Sequence, residues 1–315
     1  MLRVVANLAA LVVMPIVLAG VINRVKSLWA GRRGPPILQL AYDLRRLVRK
    51  TPVYSAVTTP VFRIGPAIVL AMAVVSALIV PLVGARPIAS FDFDFVWFAY
   101  VWGFGRIALM LGALDTGSSF EGMGASREAT FSVVLEPVLF LVIGALCLHG
   151  GTRTFYQALI PQLDNTAAFT MWIAAIVAMV IVVQVEAARM PIDDPTTHLE
   201  LTMVHEVQIL DHSGPELAML QLGAAIKLFV GVSAIAALVN PWAGSTLIVT
   251  ASPLRGFNGI IVHLALCLGI AIAIGLSESV IARIKLRVIP QYVVIALIAS
   301  AVALLAMLGR TGGHG

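Results

Sequence analysis

Eight times along its length this chain runs for about 20 residues with almost no charge. That is the length a helix needs to cross roughly 30 Å of hydrocarbon at 1.5 Å per residue. The approximate spans are 3–22, 64–84, 93–113, 130–150, 168–188, 217–238, 258–278 and 288–309. Lipid leaves few choices, because backbone groups in it must be satisfied within the segment or the bundle. The expected fold class is therefore all-α, a polytopic integral membrane protein of about eight transmembrane helices. Composition agrees: 60% of the 315 residues are hydrophobic and only 12% charged, against about 25% charged in soluble domains. The first span, with Arg3 ahead of an apolar stretch, is read as a first helix and not as a removable leader. No repeat, flexible linker or low-complexity tract divides the chain, so residues 1–315 are taken as one helical bundle domain.

The basic residues orient the bundle. Fourteen of the 21 Lys and Arg fall in the loops after helices 1, 3, 5 and 7, nine of them between Arg24 and Arg63. Those loops are expected to face the cytoplasm, with both termini outside, in a prokaryotic plasma membrane. The net charge of +5 reflects this asymmetry and not nucleic-acid binding. After Pro35-Pro36, apolar residues at Ile37, Leu40, Ala41, Leu44, Leu47 and Val48 recur at helical spacing, with Arg45, Arg46, Arg49 and Lys50 to the other side. This spacing predicts an amphipathic interfacial helix against anionic lipid.

Ionisable groups inside a membrane are costly and mark ion or substrate paths. Arg106, Glu136, Glu186, Lys227 and Glu278 all fall within or at the inner ends of the spans. Their overlapping depth predicts one polar cluster suited to proton or ion coupling, Asp115 lying at its inner edge. Glu136 is placed about six residues inside its helix, and Glu186–Arg189 is weighed as a structural ion pair. On the cytoplasmic side Asp115, Glu121, Glu128, Asp193, Asp194, Glu200, Glu206, Asp211 and Glu216 form an acidic mouth. Asp194 or Thr196 is read as the cap of a short helix over 197–210. His198, His205 and His212, seven residues apart, sit about 10 Å from one another along a helix. That is too far for a shared metal, so they are read as partner-contacting or proton-buffering groups.

Cys147 and Cys267 stand alone, with no C-x-x-C pair to ligate an iron–sulfur cluster. No P-loop or dinucleotide fingerprint is present either. Neither a metal nor a catalytic residue is assigned to the chain.

Several loop segments also resemble a known family. EAARMPIDDP at 186–195 is similar to the E-x-x-R-x-P-[FI]-D segment of the membrane subunit beside the quinone chamber of respiratory complex I. GASREATFSVVLEP at 124–137 resembles that family's loop-to-helix segment, and RRGPP at 32–36 its Gly-Pro signature. LDTGSSFEGMGASREA, DDPTTHLELTMVHEVQILDHSGPELA and SESVIARIKLR look more like the hydrogenase branch. That branch includes formate hydrogenlyase subunit 4 and hydrogenase-4 component C, membrane subunits of [NiFe]-hydrogenase complexes.

The resemblance implies a non-catalytic, energy-coupling subunit. Its expected partners are a [NiFe]-hydrogenase-like large subunit, an iron–sulfur small subunit and antiporter-like membrane subunits. The [NiFe] centre and iron–sulfur clusters would belong to those partners, not to this chain. Arg127, Arg189, Asp193, Asp194, Glu200, His205 and Glu206 would face the cytoplasmic arm or its terminal cluster. The loops depart from complex I around the quinone chamber, so the quinone-site subunit of a complex I-like oxidoreductase is the alternative. A stand-alone secondary transporter is a third reading.

Overall fold

The computed structural model describes residues 2–160, 163–190, 192–193, 203–241, 253–281 and 288–311. Among these, every regular element is helical. Eight helices are long and apolar enough to span a membrane: α1 (Leu2–Trp29), α3 (Pro60–Ile79), α4 (Asp94–Asp115), α5 (Ser119–Gly150), α7 (Thr166–Glu186), α9 (Gly214–Val239), α10 (Pro253–Val280) and α11 (Ile289–Thr311). Each overlaps one of the eight expected spans. Three short helices complete the set: α2 (Gln39–Val48), α6 (Phe155–Ala158) and α8 (His205–Gln208).

α9 is the axis of the bundle, touching α1, α2, α3, α7 and α10. Of its apolar window 78% is buried, against 28% for α10 and for α11. Those two helices are the least covered of the bundle, α10 packing against α1 and α11 against α5 and α7. Close approach is set by small residues: a Cβ on Gly275 of α10 would meet the Ile22 carbonyl oxygen of α1 at 3.1 Å.

α2 carries the amphipathic pattern expected of it, but its apolar edge does more than face lipid. Leu47 is buried, and the helix lies against both α1 and α9. Its polar face is knit by Gln39 and Arg46, which both donate to Asp43 (3.1 Å each).

The polar, glycine-rich stretch before residue 130 was expected as a loop and instead forms the first turns of α5. Packing overrides its weak helix propensity. Gly124 lets α5 press against residues 204–208, where a Cβ would run into the Val207 side chain and come within 2.9 Å of the Val204 carbonyl oxygen. As a result Glu136 lies seventeen residues into its helix, roughly 26 Å, and not six.

On the opposite side, residues 80–85 are buried although they form no regular helix. Ser233 of α9 donates to the Pro81 carbonyl (2.9 Å), and its hydroxyl lies 2.9 Å from Nε2 of buried His263 on α10. Gly84 is required there: its φ is +70°, and a Cβ would meet the His263 side chain at 2.9 Å. This non-helical segment is tolerable because it is buried in protein.

Candidate functional site

Four of the expected intramembrane charges meet. Arg106, at 3% exposure, bridges two carboxylates: Nη2 reaches Glu136 (2.8 Å) and Nη1 reaches Glu186 (2.7 Å). Lys227 approaches the other oxygen of Glu186 at 2.9 Å and lies 5.7 Å from the centroid of the Trp102 ring. The line Glu136–Arg106–Glu186–Lys227 thus joins α5, α4, α7 and α9. Each carboxylate within it has a cation, which is what makes buried charge tolerable.

Glu278 does not join this line, contrary to the single cluster expected. It lies between Lys26 (3.0 Å) and Arg189 (3.7 Å) at the inner end of α10. Lys26 was read as a loop residue, but α1 runs on to Trp29 and the α1–α10 contact at Gly275 carries Lys26 alongside Glu278. The Glu186–Arg189 pair does not form either. α7 ends at Glu186, Ala188 adopts a positive φ of 47°, and the turn sends Arg189 away from the Glu186 carboxylate.

The acidic mouth is largely spent on holding loops. Asp115 accepts from the Thr59 amide (2.7 Å), the Thr59 hydroxyl (2.8 Å) and the Phe62 amide (3.2 Å), capping α3 from the end of α4. Glu121 accepts from the Asp211 amide (3.0 Å). Glu216 receives the Tyr54 hydroxyl (2.6 Å) and lies 3.4 Å from Nδ1 of His212. Tyr54 is consequently raised above the usual phenol range, chiefly by that hydrogen bond.

Asp193 is fully buried and accepts from the amides of Val204 (3.0 Å) and His205 (2.9 Å). It therefore holds the start of α8; the expected cap at Asp194 or Thr196, at the start of a helix over 197–210, falls on residues outside those described. Arg127 donates to the Met203 carbonyl (2.6 Å) and ties the same segment to α5. Asp194 and Glu200, with Thr196 and His198, lie outside the described residues. The other two histidines of the three, His205 and His212, do not share a helix: α8 is a single turn, and His212 beyond it stacks on Phe62 with ring centroids 3.9 Å apart.

Two cavities lie under this segment. The larger, of about 410 Å³, opens between α1, α2, α9 and the chain after α7, with Asp43, Arg189, His205 and Glu206 among its polar walls. The smaller is enclosed and holds about 20 Å³, enough for one water. Arg106, Glu128, Glu186, Asp193, His205 and Lys227 surround it. Glu128 is the group that sequence reasoning left in the mouth and that the structure carries inside. Its helical register was the available signal, once residues 119–130 are read as helix.

The loop groups here are strongly perturbed. Burial, reinforced by Asp193 and opposed by Arg189, pushes Glu206 up to about 7. Burial and then Lys227 hold His205 down to about 4, against Asp193 and Glu186. Among the described residues no group of three His, Cys, Asp or Glu is placed to hold a metal ion.

On the outer flank, Glu136 leaves the bundle sideways. Its side chain is 47% exposed and borders a groove of about 470 Å³ with Trp97, Tyr100, Phe104 and Ile107. Glu136 packs beside Gly103, near the middle of α4, where a Cβ would come within 3.0 Å of its carboxylate. A carboxylate exposed to lipid at that depth would be costly.

Comparison with known proteins accords with this architecture. The chain is 28% identical over 271 residues to hydrogenase-4 component C of Escherichia coli (strain K12), covering 84% of this chain and 82% of that protein. It is 25% identical over 282 residues to formate hydrogenlyase subunit 4 of the same organism, covering 87% and 88%. A chain in the structure of the membrane-bound sulfane sulfur reductase, an archaeal respiratory membrane complex, shares the fold. The TM-score is 0.74 at 18% identity, over 96% of this chain and all of that one. The family model for NADH dehydrogenase matches residues 2–309. The chain belongs to the NADH dehydrogenase subunit 1 family.

Proposed function

We propose that this chain is the membrane-anchoring, energy-coupling subunit of a membrane-bound [NiFe]-hydrogenase-type complex of the formate hydrogenlyase and hydrogenase-4 kind. The observation that carries the reading is the line Glu136–Arg106–Glu186–Lys227, lying beneath a polar cavity on one face and opening sideways at Glu136. Similarity over 84% and 87% of this chain to hydrogenase-4 component C and formate hydrogenlyase subunit 4 supports the branch. The chain acts as one bundle, with both termini outside a prokaryotic inner membrane and the α8 segment towards the cytoplasm.

In this reading the cytoplasmic partners are a hydrogenase-like large subunit and an iron–sulfur small subunit, which hold the [NiFe] centre and the clusters. They dock over Arg127, Arg189, Asp193, Asp194, Glu200, His205 and Glu206. Antiporter-like membrane subunits cover the groove at Glu136, and Arg106, Glu186, Lys227, Glu278 and Asp115 belong to the ion-coupling and supporting set. Redox events in the arm change the charge facing the cavity, and the buried ion pairs respond by moving a proton or sodium ion towards the neighbouring subunit.

The secondary-transporter alternative needs a path across the bundle. The outer half is instead filled by Phe98, Trp102, Leu135, Leu139, Ile143 and Phe155, all at 2% exposure or less. The quinone-site alternative draws support from the family but not from the two hydrogenase relatives. Purification of the tagged chain from its native membrane tests the choice. A co-purifying large subunit with two C-x-x-C pairs, together with ion movement on redox turnover, is expected. Recovery with an NADH-binding module and inhibition by quinone analogues would overturn the hydrogenase assignment.

A further inference from the structure

Among the described residues the two cavities share five wall residues: Ala187, Ala188, His205, Leu220 and Ala224. His205 is the only one of the five with a polar side chain. On its outer side it faces the 410 Å³ cavity with Asp43 of α2, and Arg189 and Glu206. On its inner side it faces the water-sized cavity with Arg106 of α4, Glu128 of α5, Glu186 of α7, Lys227 of α9 and Asp193. Its backbone amide is held by Asp193 (2.9 Å), so α8 fixes the ring where the cavities meet. Among the described residues the shared wall has no other polar side chain.

We propose that His205 is the proton gate of the coupling path, passing protons between the large cavity and the enclosed water beside Glu128 and Glu186. The inference rests on the coupling function proposed above and names the group that feeds it. With its pKa held near 4, the ring is neutral and offers one N–H and one bare nitrogen. The bare nitrogen takes a proton from a hydronium ion in the large cavity, leaving water there, while the other nitrogen releases its own to the enclosed water, which becomes hydronium. That hydronium gives a proton to the Glu128 carboxylate and returns to water, and the ring rotates so that its new N–H faces the enclosed water and its bare nitrogen faces the large cavity again. In the second step the Glu128 O–H bond breaks and the water delivers one proton to Glu186, leaving Glu128 ionised. Each step moves one proton and no electrons. Lys227, 2.9 Å from Glu186 and also on the cavity wall, follows the negative charge between the two carboxylates. Glu128 serves as the proton store behind the gate, since no cation among the described residues lies within ion-pair distance of it.

The test uses the purified complex in proteoliposomes, with proton uptake read by a pH-sensitive dye during redox turnover. His205→Ala is expected to slow uptake roughly 100-fold, the scale of a lost proton-transfer group. Added imidazole, which fits the large cavity, is expected to restore it. Uptake equal to wild type, or a loss that imidazole does not reverse, overturns the gate. His205→Gln keeps much of the volume and hydrogen-bonding capacity but cannot relay a proton, so it covers failure of the alanine variant to assemble. Its uptake must fall likewise, and wild-type uptake overturns the proposal. Sodium uptake without proton uptake by the wild type overturns the gate alone, whereas no ion movement at all by the wild type overturns the coupling reading beneath it.

Discussion

Arg106→Gln is the sharpest perturbation of the central line. Arg106 contributes one side of two ion pairs, at 2.8 Å to Glu136 and 2.7 Å to Glu186, while itself 3% exposed. Removing it leaves Glu186, at 2% exposure, with Lys227 as its remaining ion-pair partner in the line. Breaking a buried pair from one side costs about 3–5 kcal/mol, because the stranded charge keeps its desolvation penalty. Glu186→Gln alone costs about 1–3 kcal/mol, since Arg106 still has Glu136. In the double variant the charge stranded by the first change is gone. The combined loss should therefore fall short of the sum by about 2 kcal/mol or more. Equilibrium unfolding in mixed micelles measures all three, with fluorescence of buried Trp102 beside Lys227 as the probe. Losses that add to within about 0.5 kcal/mol would show that Arg106 and Glu186 do not act as a unit.

Three further outcomes follow from the geometry. Gly124→Val should cost about 1–3 kcal/mol by overpacking against Val204 and Val207, and limited proteolysis should then cut within 203–208 faster than in wild type. Glu206, raised to about 7 from 4.5, binds more protons folded than unfolded. Stability should thus decline as pH rises from about 4.5 to 7, and Glu206→Gln should be the more stable protein above pH 7. His205, lowered to about 4 from 6.5, works in the opposite sense as pH falls below 6.5, so the Gln variant should expose an uncancelled acid loss in unfolding titrations. Glu136→Gln should impair ion movement while the complex still assembles, and collapse of assembly would make the residue structural.

What the sequence conveyed best was whatever lipid dictates. Eight spans, the amphipathic α2 and the four charges Arg106, Glu136, Glu186 and Lys227 follow from hydropathy, spacing and the cost of burying charge. What it conveyed poorly depends on contacts between distant segments. Glu128 sits in a glycine-rich run that reads as loop, because nothing local announces the Gly124 contact with Val204 and Val207 that stabilises it as helix. Glu278 has the right depth to join the central line, yet depth does not fix azimuth, and the approach at Gly275 turns it to Lys26. The acidic mouth looked like a single electrostatic feature. Backbone amides of residues 59, 62, 204, 205 and 211 claim much of it, and such demands are invisible without a tertiary structure.

Those demands explain how one short segment serves two purposes. Residues 203–208 are held from below by Asp193, from the side by Arg127, and against α5 by the absence of a side chain at Gly124. This over-determination keeps the His205 ring between the two cavities while the rest of the mouth remains polar. On the far side, Ser233, His263 and the Pro81 carbonyl close residues 80–85 over the bundle. Beyond the ion pairs, Phe98, Leu135, Leu139, Ile143 and Phe155 fill the bundle with tightly packed apolar side chains. The half-exposed carboxylate of Glu136 is the continuation of the line that reaches the surface at mid-height. In the coupling function proposed above a neighbouring subunit covers that face, so function becomes a property of the assembly, and the whole complex is the unit to purify and assay.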